Sequence, residues 1–83
     1  MSSYDEMLRV TIEILSKHVD LDRPITPKDH ILNDLGLDSL GVMEVVADIE
    51  DRFEVQIPQD MLSTMSTVDD VVKALAKLRD PKS

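Results

Sequence analysis

The chain contains no cysteine and no tryptophan, and its aromatic residues are limited to Tyr4 and Phe53. Without cysteine there is no disulfide framework, no thiolate metal site and no cysteine nucleophile, so any thiol chemistry must come from a cofactor. With so few rings, a core drawn from the 42% of apolar residues must be built from Val, Ile, Leu and Met, which suits packed helices. No apolar run approaches the roughly 20 residues needed to span a bilayer. The start, Met1-Ser2-Ser3-Tyr4-Asp5-Glu6, lacks the basic and apolar regions of a signal peptide. The expectation is a cytoplasmic protein with no membrane partner; Met1 together with the short tail Asp80-Pro81-Lys82-Ser83 suggests a freestanding one, and a domain excised from a larger synthase with an added Met reads the same way.

Basic residues are also scarce. Nine Lys and Arg stand against seventeen Asp and Glu, a formal net charge of -8. This argues against nucleic acid, whose phosphates need Lys and Arg facing them. The imbalance is concentrated: between Asp29 and Asp60 there are nine acids and one base, Arg52. Such a surface attracts basic-surfaced proteins over a distance set by salt screening. The acids lack the alternating ligands and central glycine of a calcium loop, so no metal site is expected.

Eighty-three residues allow one domain, because a unit below about 100 residues buries only roughly 60 to 65% of its unfolded surface. The expected domain is the whole span 1–83, with its core at about 4–79 and short flexible termini. A first helix is expected from Ser3, where Glu6 stands at capping-box spacing. Met7 or Leu8, Thr11, Ile14 or Leu15, and His18 or Val19 follow at intervals of three and four. Asp20, Pro24 and Pro27 break that pattern.

From Leu21 to Asp38 the sequence reads as a long connection, and a structureless loop of that length is uncommon in so small a domain. It must be pinned to the core, by Ile25, Ile31 or Leu32, Leu35 and Leu37, and Thr26-Pro27-Lys28-Asp29 is a candidate short turn of helix. A second helix is expected from Ser39 to Phe53, burying a stripe of Val42, Val45 or Val46, Ile49 and Phe53. Leu40, Met43, Glu44, Ala47, Asp48 and Asp51 lie on its other face, apolar anchors rimmed by acids that suit a transient partner contact. Pro58 at a first helical position predicts a short third helix to about Ser63. Thr67 and Asp70 make a second candidate capping box, opening a last helix with Val68, Val71, Val72, Leu75 and Leu78 inward, Lys73, Ala74 and Lys77 outward, and Asp80-Pro81 at its close. The predicted fold is all-α: a small four-helix bundle, three longer helices plus one short, up-down in its connections.

The chain is organised around Asp34-Leu35-Gly36-Leu37-Asp38-Ser39-Leu40-Gly41-Val42-Met43-Glu44. Asp38 and Ser39 are both helix-starting residues, and one cap suffices. The other polar group is then free to face solvent at the positive end of the helix dipole, a favourable place for a phosphate ester. A nucleophile elbow is excluded, since it needs glycine at Leu37 and a strand-turn-helix in a large sheet. His18 and His30 read as surface or loop residues, because neither stands at a telling spacing from a nucleophile. Gly41 weakens a helix by about 1 kcal/mol relative to alanine, and so calls for a reason.

This motif, with Ile49-Glu50-Asp51-Arg52-Phe53 and Ile57-Pro58, closely resembles the acyl carrier proteins of fatty acid, polyketide and nonribosomal peptide synthesis. The resemblance runs from the first helix to about Leu78, and Asp38-Ser39-Leu40 is its most specific part. It implies a carrier and not a catalyst: Ser39, after the motif residue Asp38, would receive a covalent 4'-phosphopantetheine arm from coenzyme A through a magnesium-dependent phosphopantetheinyl transferase. The implied partners are that transferase and a basic-surfaced acyltransferase, ketosynthase or adenylating enzyme, met by a monomer. Gly41 departs from the polar or acidic residue many members carry there. An aminoacyl or peptidyl carrier, including the D-alanyl type, and an unmodified helical interaction module are the alternative readings.

Overall fold

A computed structural model of the chain describes residues 3–79. Within them the order is α1 (Ser3–His18), α2 (Ser39–Phe53), α3 (Gln59–Leu62) and α4 (Val68–Arg79), with no strand among the described residues. This is the expected bundle of three longer helices and one short. None of these helices is long and apolar enough to cross a membrane.

Charge order supports α1, which carries Asp5 and Glu6 in its first turn and Lys17 and His18 in its last, each sign at the end of the dipole that favours it. The Ser3 side chain of the expected capping box lies outside the described residues. Met7, Thr11, Ile14 and Leu15 form the buried face, which packs on α4 and α2. The α2 stripe is centred on Val45 and Ile49, with Val42, Val46 and Phe53 half-buried beside it. Its far end is closed by Glu54, held in the left-handed region (φ 57°, ψ 48°), whose N–H donates to the Glu50 carbonyl. The Glu50 carboxylate then accepts the Ile57 N–H at 2.8 Å, tying the exit of α2 to the approach of α3.

The connection between α1 and α2 is ordered by apolar pins and by hydrogen bonds. Ile25, Ile31, Leu35 and Leu37 are buried, while Leu32 is 50% exposed, which settles the choice between Ile31 and Leu32. Asp29 is the polar anchor. Its carboxylate accepts Arg23 Nη1 and Nη2 at 2.8 and 2.9 Å and the Thr26 N–H at 2.7 Å. The arginine beside it holds the Asp29 carboxyl down at about 2.

The same connection caps α4. Val68 and Asp69 donate their N–H groups to the carbonyls of Asp29 and Pro27 at 3.0 and 2.9 Å. Thr67 N–H donates to Asp70 Oδ2 at 3.1 Å, and Asp70 N–H to Thr67 Oγ1 at 3.2 Å, which is the expected capping box. All four N–H groups that a helix start leaves without an intrahelical acceptor are thereby satisfied. Ile31 N–H to the Ser66 carbonyl, at 2.8 Å, and an isolated antiparallel bridge between His30 and Thr67 complete the clamp.

Three expectations are corrected. Thr26–Asp29 forms a tight turn, with Asp29 N–H on the Thr26 carbonyl, and no helix, because Pro27 and the Asp29 side chain satisfy the local backbone another way. Pro58 is the cap residue before α3, in extended backbone (φ -63°, ψ 152°), so the helix proper starts at Gln59. Ala74 is 7% exposed rather than outward. The helical repeat sets it beside Val71 and Leu78, where neighbours cover a methyl group; Lys73 and Lys77 are exposed as expected. The closing Asp80-Pro81 lies outside the described residues.

Candidate functional site: the start of the second helix

A self-capped turn precedes the site. His30 N–H donates to Asp34 Oδ2 at 2.7 Å, and the His30 ring accepts at Nδ1 from the N–H groups of Leu32 and Asn33 at 3.3 and 3.2 Å. Gly36 ends the turn at φ +74°, a left-handed conformation that glycine adopts without strain, and its N–H returns to the Leu32 carbonyl. Leu37, buried, follows, and the chain reaches Asp38 with its direction fixed.

Asp38 is the cap. Its Oδ1 accepts the Gly41 N–H at 2.7 Å and its carbonyl accepts the Val42 N–H at 2.9 Å, the first bond of α2. Ser39 is therefore released from capping. It is the first helical residue, exposed, and its hydroxyl makes no hydrogen bond to another described residue. The first turn of α2 contains no acid, so the positive end of its dipole is opposed only by the cap carboxylate. The reason for Gly41 is also local. A Cβ there would stand 3.0 Å from Leu37 Cδ2 and 3.2 Å from Asp38 Oδ1, so glycine lets the helix start close onto its own cap.

The face expected to meet partners is open along α2. Leu40 and Met43 are 65% and 68% exposed, and Glu44, Ala47, Asp48 and Asp51 are exposed with them. One contact on it had no signal in the sequence. His18, half-buried at the end of α1, places Nε2 2.6 Å from Asp48 Oδ2 and Nδ1 3.9 Å from Glu44 Oε1. The short contact ties the end of α1 to Asp48, with Glu44 standing farther off.

Beneath α2 lies a cavity of about 40 Å³. Val42, Val46 and Ile49 form one wall, Thr11 and Leu15 another, and Leu62 beyond α3's midpoint helps close it.

An exposed, unengaged serine hydroxyl at a helix start, beside a carboxylate that does the capping, fits an attached phosphodiester. Residues 9–75 match the family model described as the phosphopantetheine attachment site. The chain belongs to the acyl carrier protein family. It is 37% identical to an acyl carrier protein of Syntrophobacter fumaroxidans over 67 residues, 80% of this chain and 83% of that one. With an acyl carrier protein of Campylobacter jejuni it shares 34% identity over 79 residues, 95% of this chain and 99% of the relative. Among solved structures it is similar to a Mycobacterium tuberculosis protein provisionally described as an acyl carrier protein, with a TM-score of 0.79 and 28% identity, covering 84% of this chain and 95% of that one. As an acyl carrier protein it bears covalent 4'-phosphopantetheine and works as a carrier, not a catalyst, with a phosphopantetheinyl transferase and biosynthetic enzymes as its partners.

Proposed function

We propose that this acyl carrier protein bears its arm on Ser39 and shuttles acyl intermediates between enzymes of polyketide or fatty acid biosynthesis. The observation that carries the assignment is the division of labour at the helix start: Asp38 caps, and the Ser39 hydroxyl stands exposed with no other described partner. In the modification Ser39 Oγ attacks the pantetheine-side phosphorus of coenzyme A. A new P–O bond forms, the pyrophosphate P–O bond breaks, the adenosine bisphosphate leaves, and the hydroxyl proton passes to a base on the transferase. When bound, the group supplies a terminal thiol on which acyl chains are held as activated thioesters.

The chain's own residues do the rest. Gly36, Leu37 and Asp38 hold Ser39 outward, and tethering the cargo raises its effective concentration at each enzyme. Leu40, Met43 and Ala47 offer apolar contact, while Glu44, Asp48 and Asp51 steer a basic-surfaced transferase, acyltransferase or ketosynthase by long-range attraction that speeds encounter more than it tightens binding. On this proposal the protein works as a monomer in the cytoplasm, where coenzyme A and those enzymes would meet it.

The test is intact mass after incubation with coenzyme A, magnesium and a promiscuous phosphopantetheinyl transferase. Gain of one phosphopantetheine by the wild type and none by Ser39→Ala supports the assignment. Unchanged gain in Ser39→Ala overturns it.

A further inference from the structure

The cavity beneath α2 has one polar side chain in its lining. Every other lining residue is Leu, Ile, Val or Met; the exception is Thr11, which is fully buried and whose Oγ1 has no hydrogen-bond partner among the described residues. A helical threonine ordinarily can bond a carbonyl one turn back. Here that bond is not made. A buried hydroxyl without a partner destabilises the fold, and such a group calls for an explanation. Water is a poor one: a cavity of about 40 Å³ admits it, but a buried water needs roughly two to four polar partners. The side chains here offer a single hydroxyl.

We propose that Thr11 is a cargo-selecting residue: its hydroxyl is the hydrogen-bond partner of a short acyl chain bearing a hydroxyl or keto oxygen, and it favours that chain over the saturated chain of the same length. The inference rests on the arm being on Ser39, since Val42, Val46 and Ile49 of the cavity wall follow Ser39 along the same helix. A threonine hydroxyl both donates and accepts, so either oxygen satisfies it. Its side chain has two accessible helical rotamers, so the hydroxyl can turn toward a group that enters. A saturated chain would gain apolar contact and leave the hydroxyl bare. Discrimination is strongest where the wrong ligand leaves a polar group of the site unpaired.

The test uses the full chain, wild type and Thr11→Val, the latter keeping the shape and removing the hydroxyl. A promiscuous transferase loads each with butyryl, 3-hydroxybutyryl or acetoacetyl phosphopantetheine from the corresponding coenzyme A thioester, and peptide mass establishes loading on Ser39. In the wild type the 3-hydroxybutyryl form is expected to unfold about 5 °C above the butyryl form, the shift that one added hydrogen bond gives a domain of this size. The Thr11 methyl resonance should move with the oxygenated cargoes and stay in place with butyryl. In Thr11→Val the order of midpoints levels or inverts while loading persists.

Equal midpoints for all three cargoes in loaded wild type, or a preference that survives Thr11→Val, overturns the role of Thr11 and leaves the arm assignment standing. A water bonded to Thr11 in place of the cargo oxygen in the loaded protein also overturns it. Failure of Ser39 to load overturns both readings.

Discussion

Asp38 Oδ1 takes the Gly41 N–H at 2.7 Å, and this bond leaves the neighbouring Ser39 hydroxyl without structural duty. Asp38→Ala removes the acceptor, and by the usual worth of a helix cap it should cost about 1 kcal/mol of stability, read by denaturant unfolding. If the cap also holds Ser39 outward, phosphopantetheinylation slows, while Asp38→Asn, which keeps an acceptor oxygen, recovers most of the stability.

Gly41→Ala tests the close approach. Replacing glycine within a helix ordinarily gains about 1 kcal/mol. Here the new methyl would meet Leu37 Cδ2 at 3.0 Å and Asp38 Oδ1 at 3.2 Å; the first belongs to a buried side chain and the second is held by its own hydrogen bond. The expected outcome is no gain or a loss in the thermal midpoint. A full gain would mean that the helix start has slack.

Glu54 is the one described residue other than glycine with positive φ, at 57°. Its side chain is exposed, so Glu54→Gly loses little contact and relieves left-handed strain. Unfolding should shift toward greater stability by about 0.5 to 1 kcal/mol.

Acid stability should depend on Asp29. Its carboxyl is held at about 2 in the fold, chiefly by the Arg23 guanidinium and then by the Thr26 N–H, against an ordinary value of 3.8. A depressed folded value gives stability that is present above the unfolded value and is lost as pH falls through the folded one. The clasp therefore weakens between about pH 4 and pH 2. Asp69 and Asp70 are lowered too, by Tyr4 and by the Ser66 N–H first, and add in the same direction. Relief of repulsion among the acids opposes this loss at milder pH. Asp29→Asn should be less stable at pH 7 and show a shallower fall below pH 4 in urea-unfolding curves recorded across pH.

The open face of α2 makes a kinetic prediction. Glu44→Lys should lower kcat/KM for a transferase or acyltransferase by roughly fivefold or more at low salt, with a smaller effect at high salt. Met43→Ala should lower it with less dependence on salt. Both variants keep a helical spectrum, because each residue is exposed. Rates equal to wild type would remove the docking role.

What was legible in the sequence was local. α2 spans Ser39–Phe53 as expected because its start is written in Asp38 and its apolar stripe has a helical period. The Thr67–Asp70 box was legible for the same reason. The loop pins followed from the need to anchor a long connection, and only the fold decided for Ile31 over Leu32. What escaped depends on residues distant in the chain. His18 meets Asp48 across thirty positions, and the α4 start is capped by carbonyls of Pro27 and Asp29. Thr11 read as one more position on an apolar face; its unpaired hydroxyl emerges only when the surrounding helices are in place.

The most direct measurement is peptide-resolved mass spectrometry of the protein purified from its own cells. One phosphopantetheine is expected on the peptide containing Ser39, with fragment ions locating it on that residue. A native protein unmodified at Ser39, or carrying the group on another residue, would contradict it.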